Sequence, residues 1–308
     1  MAASKPIGAP LSRRETVGTS RYRTIEAGRG LACLAVLLFH SLTTYSPSSL
    51  TPVLATLRSA TNWGWLGVHV FFSISGWCIA ERLTSAVTRG ETSWSFLKER
   101  FLRIFPTYWA AVALTMALRL AASPFNATSP ASNLPAGWSG WVGTVLLVDP
   151  YLKAAPYLAV SWSLVYELGF YLCAALAVAL WRARLSNGWM LFAAGALLCF
   201  MPWAAHTGRA PWLVLELWPD FFAGMAAWCV ARRGARAAGC GVLAAMLGAS
   251  LLWPAYGGAG RLTAILTALV LIGLFPCDAR IASHRISRHG ILKWGRGLGA
   301  KGTPMALG

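Results

Sequence analysis

Long apolar runs alternate with short polar breaks along most of this 308-residue chain. The runs predict helices at about Glu26–Tyr45, Gly64–Ala80, Ile104–Ala122, Val160–Trp181, Trp189–Ala205, Trp212–Ala231, Ala238–Trp253 and Leu262–Phe275. Runs of roughly 17–25 apolar residues suit helices that cross a hydrocarbon core about 30 Å thick. Pro, Gly and Arg fall at the breaks, where helices stop. A further apolar stretch, Trp141–Val148, is too short to cross, because as a helix it spans only about 12 Å. The expected fold class is therefore all-α: a polytopic membrane helix bundle of about eight transmembrane helices.

Composition agrees with this pattern. The chain is 56% hydrophobic and 12% charged, which is too apolar for an ordinary soluble domain. Its 16 Trp and 8 Tyr cluster near the ends of runs, as in interfacial belts. The net charge of +17 would suggest nucleic acid in a soluble protein, but here the bases sit between apolar runs and no basic stripe interleaves with exposed aromatics. The positive-inside rule accounts for most of them. With the basic N-terminus cytoplasmic, eight crossings place Arg82–Arg103, Arg182/Arg184, Arg232–Arg236 and the tail inside, and the Lys/Arg-free segment 123–140 outside. Both ends are then cytoplasmic. Three parts are expected: a basic segment 1–24, a membrane domain 25–277 and a basic tail 278–308. No removable signal peptide is expected in Met1–Arg23. The seven Cys form no C-x-x-C pair and read as small core residues, so no metal is expected. Asn126-Ala-Thr128 fits a glycosylation sequon.

Ionisable groups inside apolar runs are costly and usually mark function. Arg29 and His40 lie eleven residues apart in one such run, roughly 16 Å along a helix and on much the same side. Histidine is the side chain suited to proton transfer near neutral pH. The plainer alternatives are a buried hydrogen-bond network for His40 and an Arg29 that snorkels to the headgroups. Glu167 lies within another run, with a helix–helix hydrogen bond as its plainer reading. Glu216 and Asp220 are charged at depth, and either would suit the lining of an acceptor path. The tail string Gly295-x-Gly297-x-Gly299 follows no strand, so it is a weak nucleotide-loop signal.

Four segments carry a resemblance. Ile25-Glu26-Ala-Gly-Arg29 running on to Phe39-His40 is similar to the opening helix of the membrane-bound acyltransferase-3 family, with its Arg or Lys, ten residues, then His. Gly64-Trp-Leu-Gly67-Val68-His69-Val-Phe71-Phe72-Ser-Ile-Ser75-Gly76 resembles that family's second helix, although the family usually has Asp where His69 stands. Lys98-Glu-Arg100-Phe-Leu-Arg103, leading to Pro106 and Tyr108, resembles its Arg-x-x-Arg segment. Ser161-Trp162-Ser163-Leu164 through Glu167 to Phe170-Tyr171-Leu172 resembles its fourth motif. The four come in the family's order across residues 25–172.

The resemblance implies an inner-membrane O-acyltransferase that moves an acyl group, most simply acetyl, from acyl-CoA to a hydroxyl of a cell-surface glycan. His40 would be the general base, Glu167 its orienting partner and Arg29 an electrostatic helper. Arg100 and Arg103, three apart on one helical face, would hold the CoA phosphates through bidentate guanidinium contacts, with Tyr108 beside them. His40 outward and the arginines inward leave about half a helix length between base and donor site. Past Trp294 the chain departs from the family pattern, and a product short of two crossings is expected. The competing functions are an inactive truncated acyltransferase, or a transporter or flippase for a glycan or lipid, which would use the same buried charges as a path. No duplicated half is visible to support a transporter.

Overall fold

The computed structural model describes residues 23–43, 51–125, 130–182, 217–232, 235–252 and 258–275. Among them the chain is all helical, as the runs predict. We label the helices α1 (Arg23–Thr43), α2 (Pro52–Ala60), α3 (Gly67–Thr88), α4 (Ser93–Ala122), α5 (Gly137–Leu146), α6 (Trp162–Arg182), α7 (Trp218–Ala231), α8 (Arg236–Leu252) and α9 (Gly258–Phe275). Five segments are long and apolar enough to cross a membrane: Thr24–Thr43, Pro52–Thr88, Ser93–Ala122, Ala159–Leu180 and Gly258–Phe275. This is a helical membrane protein. The helix expected at Trp189–Ala205, the start of the one at Trp212, the sequon and the basic tail lie outside the described residues.

The core is a set of helices that start at one end of the bundle, here the upper end. α3 and α7 run parallel in close contact. A Cβ on Gly76 would fall 1.9 Å from the Phe221 carbonyl oxygen, and one on Gly224 would fall 1.7 Å from that of Ser73. Small residues let helix backbones approach this closely inside a membrane bundle. α9 runs alongside in the same direction, with the Ser73 hydroxyl donating to the Ala264 carbonyl. α6 packs on these through the stacked rings of Phe170, Phe221 and Phe72. α1 runs the opposite way against α3, with Gly67 and Gly64 pressed onto the Ala32 and Ala35 carbonyls.

Three elements differ from expectation. The Arg82–Arg103 stretch, which lies between two predicted runs, is mostly helical. α3 continues to Thr88, Gly90 turns the chain at φ 64°, and Thr92 caps the start of α4 by accepting the Ser95 N–H. Arg82 bonds Glu91 and Glu99 across this hairpin, which lets charged residues stay helical. Arg100 and Arg103 are therefore helical positions, two turns inside α4. Secondly, α2 follows a Thr51 cap with Pro52 at its first turn, a start signal that the weak apolar run obscured. Thirdly, Trp141–Val148 forms most of α5, whose 10 residues make about 15 Å of helix, and it packs against α4.

Candidate functional site

The lower end of the bundle gathers three of the arginines singled out in the sequence. Arg100 is only 6% exposed, and its Nε has no hydrogen-bond partner among the described residues. Its guanidinium lies over two rings, Phe96 at 5.5 Å and Tyr171 at 5.4 Å. Cation–π contact of this kind partly compensates a buried charge that forms no ion pair among the described residues. Arg29 on α1 lies 4.8 Å over the Phe71 ring. Arg103 is exposed, one helical turn from Arg100. The charges of Arg29, Arg100 and Arg103 all act on the Cys78 thiol of α3. Arg29 of α1 and Arg100 and Arg103 of α4 thus lie within electrostatic reach of one point on α3.

Glu167 is buried on α6 and accepts the hydroxyl of Tyr171, one turn further on. The same Tyr171 ring carries Arg100, so Glu167 joins the arginine cluster through a tyrosine. Its hydrogen-bond partner is Tyr171, not the His40 ring that the sequence suggested. His40 stands in the last turn of α1, half-buried, with its ring edge-on to Phe39 at 5.3 Å. α1 is unbroken between Arg29 and His40, so the two remain about 16 Å apart along one axis. Tyr108 belongs to a different group from the arginines. Its hydroxyl donates to the Thr144 carbonyl at 2.7 Å, toward the upper end.

A second constellation emerges that the sequence only partly marked. His69, Asp220 and Arg261 come from the first turns of α3, α7 and α9. Asp220 is fully buried and accepts from His69 Nδ1 at 2.6 Å and from Arg261 Nη1 at 2.6 Å. Gly260 covers the other ring nitrogen, since a Cβ there would lie 2.3 Å from His69 Nε2. The two bonds to Asp220 make the group a brace between three helices. Arg261 was missed because a single arginine opening an apolar run reads as an interfacial anchor. Tyr171 was missed because an aromatic among apolar neighbours reads as core. No cluster of metal ligands occurs among the described residues. Glu216 lies outside the described residues.

Comparison with known proteins gives one match. The model of a family described as an acyltransferase domain, the acyltransferase-3 type, fits residues 22–295. No curated protein and no solved structure matches the chain.

Proposed function

This chain belongs to the membrane acyltransferase-3 family, and from that premise we propose that it transfers an acyl group, acetyl being the simplest, from acyl-CoA to a hydroxyl of a cell-surface glycan. It does so as a multi-pass protein of a bacterial inner membrane. The observation that carries this reading is the arginine cluster, with Arg100 buried against Phe96 and Tyr171. A buried guanidinium held by rings keeps its donors available for an anionic ligand, and a guanidinium fork fits phosphate. By the positive-inside rule the lower end faces the cytoplasm, where acyl-CoA is found. Arg103 meets the phosphates first, while Arg100 and Arg29 hold charge deeper in the bundle. Glu167, bonded to Tyr171, fixes the ring on which Arg100 lies.

The transfer itself needs a base at the acceptor. His40 takes the proton of the acceptor hydroxyl as that oxygen attacks the thioester carbonyl carbon. A carbon–oxygen bond forms, the carbon–sulfur bond breaks, and the CoA sulfur leaves as a thiolate that receives the proton His40 took, which restores the neutral imidazole. The span between Arg29 and His40 along α1 is bridged by the donor arm reaching up the bundle.

Radiolabelled acetyl-CoA tests this reading. Purified protein in detergent should bind it saturably, and Arg103→Ala should weaken binding about tenfold, the loss of one charge-assisted contact. His40→Ala should keep donor binding and lose at least about a hundredfold in acyl transfer. A well-folded sample with no saturable binding, or a His40→Ala protein with full turnover, would overturn the assignment.

A further inference from the structure

Above Glu167 the contact between α4 and α6 remains polar. Six residues earlier on the chain, about 9 Å along α6, stands the Ser161 hydroxyl. It lies close enough to act on the Tyr108 phenol without completing a hydrogen bond. Thr144, whose carbonyl accepts from Tyr108, has its own hydroxyl unpartnered. Asp149 is 1% exposed, with both carboxylate oxygens unpartnered, and its charge bears on Tyr108. Gly143 makes room for that carboxyl, because a Cβ there would fall 2.7 Å from Oδ1. Four buried polar residues, from α4, α5, the turn after α5 and the turn before α6, thus gather near the Tyr108 hydroxyl. Three of them have unpartnered polar atoms.

The chemistry of the group selects its ligand. Burial pushes the Asp149 carboxyl above the usual carboxylate range, and no cation opposes this. A group of three hydroxyls and one carboxyl, with no cation among them, gives a phosphate or carboxylate ligand nothing to pair with. It suits a group that donates and accepts at once, which is a hydroxyl. Asp149 opens the turn Asp149–Leu152, which is bounded by Leu147 at φ 58° and Lys153 at φ 51°. Left-handed conformations at non-glycine residues persist only where the surroundings impose them.

We propose that Tyr108, Thr144, Asp149 and Ser161 form a subsite for a non-reacting hydroxyl of a carbohydrate acceptor. The proposal rests on the acyl-transfer reading, and it places the acceptor on the α4–α6 side of the upper end. Methyl α-D-glucopyranoside is the probe. Acetyl-CoA turnover by the full chain in detergent is measured against glucoside concentration, with donor binding measured separately. The half-saturating glucoside concentration should rise about tenfold or more in Asp149→Ala and severalfold in Ser161→Ala. Asp149→Asn, which still donates and accepts, should stay near the parent. Donor binding should change less than about twofold in all three. Unchanged glucoside dependence in the two alanine variants overturns the subsite, as does turnover on which glucoside has no effect. If Asp149→Ala does not fold, Ser161→Ala alone decides. If the parent protein binds no acetyl-CoA, the acyl-transfer reading falls. The subsite is then judged without donor, by saturation-transfer NMR of the glucoside. A signal that weakens in Ser161→Ala supports it, and no signal overturns it.

Discussion

Asp220 carries two strong partners on separate helices, and all three residues are buried. Removing a carboxylate from such a group strands a charged arginine in a low-dielectric interior, which costs about 3–5 kcal/mol. Asp220→Ala should therefore lower the thermal unfolding midpoint in detergent markedly, whereas the double replacement Asp220→Ala/Arg261→Met should recover part of the loss. A single variant as stable as the parent would show that the triad braces nothing. The sequence marked Arg29, His40, Arg100, Arg103 and Glu167, because each is a charge or imidazole inside an apolar or motif-bearing run. It did not mark Thr144, Asp149 and Ser161 as a group. Asp149 before Pro150 reads as an ordinary turn, and only the fold brings it beneath Tyr108.

α3 and α7 meet through backbone, with side chains contributing little at the closest point. At Gly224 an added methyl would sit 1.7 Å from the Ser73 carbonyl oxygen, so the helices would have to part. Gly224→Ala should destabilise the bundle by about 1–3 kcal/mol or more, as overpacked cores do. On α8 a Cβ at Gly241 meets nothing within 4 Å. Gly241→Ala should be neutral or slightly stabilising, since alanine favours helix. Denaturation of the two variants side by side in mixed micelles checks the contrast. Helix existence was legible in the apolar runs because a spanning segment has few alternatives. Helix ends were not, where polar residues stayed helical: α4 begins eleven residues before the run that announced it, because Thr92 caps it and Arg82 neutralises Glu99.

For the molecule as a whole, the charge pattern and the helix directions agree. The hairpin at Arg89–Thr92 lies at the end opposite to His40, and the positive-inside rule makes it cytoplasmic. In a cysteine-free background, Glu91→Cys should be labelled by a membrane-impermeant maleimide only after the membrane is opened. Ser132→Cys should label in intact spheroplasts. The reverse pattern would invert the protein and remove the donor argument. The α4 helix, with 30 residues and about 45 Å of length, outreaches the hydrocarbon core and connects the two ends. Beside it, the polar residues run from Tyr171 past Glu167 on α6 to Ser161 in the turn before it, across the depth that separates arginines from imidazole.

The ion pairs along α3 and α7 also set how the bundle can move. His69 with Asp220 and Glu81 with Arg232 are both 151 residues apart, so the two helices keep one register over three turns. A slip of one residue, about 1.5 Å, would break both pairs together and drive backbone into backbone at Gly76 and Gly224. α3, α7 and, through Arg261, α9 behave as one rigid body. Any opening that admits a ligand is a swing of α1, α4 or α6 against that fixed frame, and spin labels placed on either side of it would report distance changes only between the two groups.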